Sequence, residues 1–490
     1  MKIKETKNKN LKVKLSRFSV FIAYFSVLIL FFLLCSCTVG PNYKKPDTTD
    51  LMPPDWHWKI AEPMDAVPKG EWWTVFSDPV LDHLETNAVA DNQTLRAAVA
   101  RVDQARSAAR LSRSRFFPEV SLDPSFRRER TSANLPTPIP FPLPSVHLNT
   151  YSTPLDLSYE VDLWGRVRRS FEAAQAEAQA SISDYQNVLL TLTGDVAVNY
   201  FLARSLDSEI AILRQTIELR KESVRILSDR FLTGTISEID LDQAKNDFAS
   251  AEADLADATR QRAETLNALA LLCGKTASSF DLAERPMTAL PPAVPPGLPS
   301  SLLERRPDIA RAERTLASSN AQIGVATAGY FPDLRLTGDA GYLSARAGDL
   351  FSGDSFIWAV GPSIRLPLFN GGRTGAEVGQ AEAHYREALA DYRQTVLKAF
   401  KDVEDSLAQI VLRGQQASAL AQAVVSAMRV TELAEARYEA GTVSYLEVVD
   451  AKRNMLRQER QQVQLEGQRF AASVRLIKAL GGGWGTSLTE

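Results

Sequence analysis

The sequence predicts a mainly α protein that carries a membrane β-barrel portion and is built from a duplicated β-β-α-α unit. Three observations lead there. The stretch RFLTGTISEIDLDQAK (230–245) returns as RYEAGTVSYLEVVDAK (437–452), 207 residues later. Two segments alternate apolar and polar residues with the period of a strand. Proline is absent between Pro154 and Pro286 and again after Pro367, and helix interiors exclude it.

The N-terminus comes first in the chain. Seven Lys or Arg and one Glu in the first 36 residues give +6, so their removal takes the net charge from −3 to −9. An acidic remainder argues against nucleic acid as a partner. A basic stretch to Arg17, an apolar stretch from Phe18 to Leu34 and then Leu34-Cys35-Ser36-Cys37 form a secretory signal, expected over 1–36. The cysteine after the small residue resembles a bacterial lipobox. That resemblance implies an acylated Cys37 as the first mature residue, and Thr38 after it favours the outer membrane. Residues 37–78 are then a lipidated N-terminal segment. With only Cys35, Cys37 and Cys273, no disulfide framework or thiolate metal site is expected.

The first repeat is expected over 79–285 and the second over 305–484, separated by a proline-rich linker at 286–304. Gly165-Arg166 matches Gly372-Arg373, again 207 apart, whereas RFFPEVSL (115–122) matches GYFPDLRL (329–336) at 214. The seven extra residues of the first repeat are assigned to PTPIPFPLP (136–144). Agreement among separate landmarks marks a duplicated unit.

Strands are expected at about 117–128, 148–163, 331–343 and 356–369. From Tyr151 to Leu163 the odd positions are Tyr, Thr, Leu, Leu, Tyr, Val and Leu, and the even ones are mostly polar. Aromatics such as Phe117, Tyr151, Phe331 and Phe356 cluster near strand ends, where outer-membrane barrels carry girdles. Four strands cannot close a barrel, and open edges are not tolerated in lipid. Other copies must complete it; periodicity leaves two or three copies open.

Each second strand is followed by a helical hairpin, expected at 166–274 and 373–481. A continuous helix from Arg166 to Arg230 is on the order of 100 Å long. On its return partner, Leu241, Ala244, Phe248, Ala251, Leu255 and Ala258 step by three and four as a coiled-coil seam. Gly234 and Gly441 suit left-handed helix ends, and Ser237 and Ser444 suit N-caps, with Asp240 and Glu447 three residues on. No catalytic constellation stands out. The four histidines are scattered, and CGKT (273–276) lacks the P-loop glycine because Leu269 takes its place. The chain is therefore not expected to be an enzyme, to bind a metal or to use a cofactor beyond lipid on Cys37.

With these elements in place, the chain resembles the TolC family of outer membrane efflux channels, in its lipoprotein branch. The residues that carry the resemblance are CTVGPNYKKP (37–46), EWWTVFSDPVLDHL (71–84), LWGR (163–166), RRPDIARAE (305–313), YFPDL (330–334) and both tip motifs. The resemblance implies a homotrimer with a twelve-strand outer membrane barrel and a long periplasmic α-helical barrel. It also implies a passive duct for drugs or other small molecules, working with a periplasmic adaptor and an inner-membrane pump. Leu446, Glu447 and Asp450 are then expected at a periplasmic gate, as rings of apolar and carboxylate groups. Gly234, Thr235, Gly441 and Thr442 are expected at adaptor-docking tips. The first-repeat equivalents of the gate are Ile239, Asp240 and Gln243, and Val443 offers no charge for an ionic lock. The competing reading is a structural or adhesive trimeric lipoprotein without transport.

Overall fold

A computed structural model describes residues 38–47, 51, 70–134, 144–288, 290–292 and 305–482. The signal segment 1–36, the lipidation candidate Cys37, the N-terminal stretches 48–50 and 52–69, and the linker run 293–304 lie outside the described residues. The described residues fall into two compact units, those within the bounds 1–46, 104–179 and 314–390 in one, and those within 47–103, 180–313 and 391–490 in the other.

In chain order the elements are α1 (Pro79–Asp91), α2 (Gln93–Ser114), β1 (Glu119–Leu122), β2 (Ser125–Arg130) and β3 (His147–Val161). Then come α3 (Arg166–Leu232), α4 (Glu238–Leu272), α5 (Pro307–Ala328), β4 (Asp333–Ser344), β5 (Phe356–Arg365), α6 (Arg373–Glu439) and α7 (Tyr445–Ala479). The duplication is visible in the lengths. Helices α3 and α6 have 67 residues each, α4 and α7 have 35 each, and α2 and α5 have 22 each. The offset is 214 between α2 and α5 and 207 between α3 and α6, so the extra residues fall in the β2–β3 connection.

Two details differ from the sequence expectation. The strand expected at 117–128 is two strands, β1 and β2, because Pro124 has no N–H to give the ladder and Asp123 turns its N–H to the Pro154 carbonyl at 3.1 Å. Each strand pair is also preceded by a 22-residue helix, α2 or α5, that the β-β-α-α description omits. The start of the expected linker is not free chain either. Met287 N–H donates to Ser208 at 2.8 Å, and Arg285 N–H, at the end of the first repeat, donates to Asp207 at 2.9 Å, both acceptors on α3.

The sheet lies in the first unit. It is antiparallel, ordered β1-β3-β4-β5, with β2 also on β3. The register sorts the side chains cleanly. Val120, Leu122 and Phe126 pair with Leu157, Leu155 and Tyr151; Tyr159 and Val161 pair with Leu336 and Leu334; Trp358, Val360 and Ile364 pair with Ala340, Gly338 and Leu334. Paired residues share a face, so all of these lie on one side. Ser121, Asp156, Ser158, Glu160, Arg335, Asp339 and Ser363 lie on the other. On the apolar side Trp358, Val360 and Ile364 are 68%, 75% and 72% exposed, a surface that calls for an apolar medium. The apolar column of β3 from Tyr151 to Val161 rises about 35 Å along the strand. At a barrel tilt that spans roughly the 25 Å lipid-facing band. Among the described residues, β1 and β2 leave one edge of the sheet unpaired and β5 the other.

Residues 38–43 are held close to the β3–α3 turn. Val39 N–H donates to the Trp164 carbonyl at 3.0 Å. Arg169 donates to the Val39 carbonyl at 3.3 Å and to Asn42 Oδ1 at 2.7 Å, and Asn320 donates to the Pro41 carbonyl at 2.9 Å. The chain is therefore tied down from Val39, two residues after Cys37.

The core of the second unit is built around aromatics. Trp72, Leu81, Leu84, Val196, Tyr200, Phe201, Leu269 and Phe470 are buried together. Phe201 stacks on Phe470 at 4.3 Å, and the Trp72 indole donates to Thr193 at 3.1 Å. None of the described helices is long and apolar enough to cross a membrane.

Candidate functional site: the hairpin tips

Both long hairpins turn in the second unit, and their tips share one apolar cluster. Leu227 of α3, Leu241 and Ala244 of α4, Ala434 of α6, and Tyr445, Val448, Val449 and Ala451 of α7 are buried in it. The two copies of the repeated motif therefore pack on each other.

Each turn is a Schellman end. Gly234 N–H donates to the Phe231 carbonyl at 2.9 Å and Thr235 N–H to that of Arg230 at 2.9 Å. Gly441 and Thr442 repeat this with Tyr438 and Arg437 at 2.9 and 3.0 Å. The threonines add a second bond: Thr235 Oγ1 reaches the Arg230 carbonyl at 2.8 Å and Thr442 Oγ1 that of Arg437 at 2.9 Å. Gly234 and Gly441 have φ of +72° and +70°, and a Cβ at either would meet nothing within 4 Å. The cost of a side chain is therefore conformational alone. Gly234→Ala with Gly441→Ala should destabilise the tips by about 1–2 kcal/mol per site. Faster amide exchange confined to residues 228–245 and 435–452 is expected; unchanged exchange there would contradict the turn role.

The two return helices restart differently from each other: the first as the sequence predicts, the second not. Ser237 and Asp240 close a full capping box, with Ser237 Oγ accepting from Asp240 N–H and Asp240 accepting from Ser237 N–H, both at 3.3 Å. Ser444 makes no side-chain cap bond, although its backbone has cap geometry. The longer Glu447 side chain instead reaches Arg437 on α6, at 3.6 Å.

The first turns of α7 divide into two faces. Tyr445, Val448 and Val449 point into the cluster, while Leu446, Glu447 and Asp450 are exposed, Leu446 at 44%. Asp450 makes no ion pair or hydrogen bond among the described residues. In the first repeat Ile239 is likewise exposed, at 68%. Asp240 is consumed by its cap and Gln243 is half-buried, so the two tips present different chemistry. Tyr438 meets Tyr445 edge-on at 5.3 Å, and the Arg230 guanidinium lies 6.0 Å from the Tyr438 ring.

Below the tips lies a polar seam that residue spacing did not reveal. Buried Asp247 of α4 holds Arg220 of α3 at 3.0 Å and Arg453 of α7 at 2.8 Å, and Arg220 also donates to the Asp247 carbonyl at 2.6 Å. Burial draws the Arg220 pKa down, and Asp247 opposes it. Two turns on, Arg460 pairs with Glu209 at 2.8 Å and Asp254 at 2.9 Å, beside a cavity of about 410 Å³. Removing one member of such a buried set strands the others, at roughly 3–5 kcal/mol. The only sequence signal was Asp247 standing one residue before Phe248 of the coiled-coil seam.

These groups offer no nucleophile-base pair. Among the described residues, no cluster of three or more His, Cys, Asp or Glu could hold a metal. The CGKT segment is a helix end: Cys273 caps α4, and Lys275 N–H returns to the Ala270 carbonyl at 2.8 Å.

Comparison with known proteins agrees with this architecture. The family model described as "Outer membrane efflux protein" matches residues 84–275 and 298–482. The solvent efflux pump outer membrane protein SrpC of Pseudomonas putida is 33% identical, over 93% of this chain and 97% of its own. The pyoverdine export outer membrane protein OpmQ of Pseudomonas aeruginosa is 34% identical, over 92% and 94%. Among solved structures, the outer-membrane channel OprN aligns with a TM-score of 0.81 at 30% identity, over 91% of this chain and 100% of its own. CusC, whose structures concern transmembrane channel formation, aligns at 0.78 and 29%, over 91% and 100%.

Proposed function

The chain belongs to the outer membrane efflux protein family, and on that premise we propose that it is the outer membrane channel of a tripartite efflux system: a passive, trimeric export duct for drugs or other small molecules. One observation carries this reading. The sheet has an apolar face, a polar face and two unpaired edges, and its strands alternate in direction from β1 and β2 to β5. A copy that sets its β1–β2 edge against a neighbour's β5 edge continues the antiparallel order without a break. Any ring so formed has an apolar exterior and a polar interior. Three copies are the number that the family resemblance implies.

In such a ring Leu446, Glu447 and Asp450 each become a ring at the periplasmic entrance. The Leu446 ring excludes water, and the carboxylates favour cations. Glu447 is already countered by Arg437 in its own hairpin, so Asp450 carries the field. The tips at Gly234, Thr235, Gly441 and Thr442 present the surface for a periplasmic adaptor, which joins the duct to an inner-membrane pump. Transport energy comes from that pump.

Cys37 carries the lipid, and its acyl chains sit in the outer membrane. The ties that Val39 and Asn42 make to Trp164 and Arg169 support this, because they bring the chain to the strand-to-helix turn. Cys37→Ser should abolish labelling by radioactive palmitate and block signal cleavage. Intact labelling of that variant would contradict the lipid reading.

The test of assembly is a native mass measurement on detergent-solubilised particles. Three copies are expected. A monomer that nonetheless inserts into lipid vesicles would overturn the shared-barrel reading.

A further inference from the structure

Strand β2 reads SFRRER, and its register on β3 sorts those charges between the two faces. Phe126, Arg128 and Arg130 pair with Tyr151, Asn149 and His147, so they continue the apolar face. Arg127 and Glu129 lie on the polar face and neutralise each other at 3.4 Å. The face that meets lipid therefore runs from Val120 and Leu122 to a ring contact between Phe126 and Tyr151 at 4.7 Å, and then changes within one residue pair to exposed arginines. Arg130 donates to Ser145 at 3.2 Å, and Arg128 makes no hydrogen bond or ion pair among the described residues. No carboxylate of β2 or β3 stands on that face beyond Tyr151.

This end of the sheet is remote from the β3–α3 turn, since β3 starts at His147 and reaches that turn only after Val161. With the helices in the periplasm it is the outward rim. An aromatic pair followed at once by guanidinium groups on the lipid-facing side matches the order of a bilayer leaflet: acyl chains, interface, then headgroup. Guanidinium forks bind phosphate oxygens in pairs, and they do so more strongly beside a low-dielectric layer. We infer that Arg128 and Arg130, with His147 beside them, form a binding site for the phosphate groups of a phosphorylated glycolipid in the outer leaflet, of the lipid A type. In a ring of copies the site repeats around the barrel as a basic belt that fixes its height in the membrane.

The inference rests on the barrel reading, and the experiment separates the two. Purified full-length particles are incubated with diphosphorylated lipid A, dephosphorylated lipid A or phosphatidylglycerol, and retained lipid is counted by native mass spectrometry. Channel formation by each variant is recorded in planar bilayers. Wild type should retain diphosphorylated lipid A about tenfold better than either other lipid. Arg128→Gln with Arg130→Gln should lose that advantage. Arg127→Gln, the same kind of substitution at the one arginine of β2 on the opposite face, should keep it. Full retention by the double variant, equal loss in Arg127→Gln, or equal retention of phosphatidylglycerol by wild type would overturn the inference while leaving the barrel standing. Absence of channels from wild type and every variant would overturn both.

Discussion

Particles carrying Leu446→Ala should conduct several-fold more at rest than wild type, while Asp450→Ala should abolish cation preference with little added leak. The separation follows from the two kinds of group on one exposed face of α7. Leu446 and Asp450 are four residues apart, hence one turn apart on the same side. A leucine ring sets the dewetted diameter, so truncation widens it. A carboxylate ring sets the potential, so truncation removes a field without much change in width. Glu447→Ala should have a smaller effect than Asp450→Ala, because its partner Arg437 already offsets it at 3.6 Å and both side chains are more than half exposed. Planar-bilayer recordings with asymmetric salt read both quantities. If both variants keep wild-type conductance and selectivity, the constriction is not formed by this face.

Replacing Glu85 should make the protein more stable, and by an amount that grows with pH. Glu85 lies on α1, fully buried in the aromatic core, and neither carboxyl oxygen has a hydrogen-bond partner among the described residues. Burial, with a smaller contribution from Asp82, pushes its pKa up to about 10. The sign follows from proton counting. Above about pH 4.5 the unfolded chain has released this proton while the folded chain still holds it, so stability falls as pH rises, until the folded group itself ionises near pH 10. At pH 7 the cost is about 3 kcal/mol. Glu85→Leu fills a similar volume, needs no partner and should recover most of that. Urea unfolding of the helices, followed by circular dichroism at pH 5, 7 and 9, should show a gap between variant and wild type that widens with pH. A gap that is absent, or that narrows as pH rises, would contradict the buried-acid account.

Much of this could be read in the sequence, for physical reasons. Alternation from Tyr151 to Leu163 has a single structural solution when one face must meet an apolar medium, and the long proline-free runs leave helix as the economical state. Left-handed turns at Gly234 and Gly441 were legible because few residues other than glycine tolerate that conformation. Side-chain partners were not. The spacing in Ser237-Asp240 and Ser444-Glu447 is the same, yet only the first closes a capping box, because Arg437 competes for Glu447. Asp247 looks no different from the exposed Asp242 until three helices are assembled around it. Glu85 did leave a trace. Leu81, Leu84, Glu85 and Ala88 fall on one helix face, so the pattern put an acid among core positions before any coordinates did.

The central claim is that several copies of an open sheet close into one conducting duct. Single-channel recording from purified Leu446→Ala particles tests it most directly, since the widened entrance keeps a closed gate from masking the pore. Discrete, uniform conductance steps from particles of three copies are the predicted result. Three-copy particles that insert into the bilayer and pass no current would contradict the account.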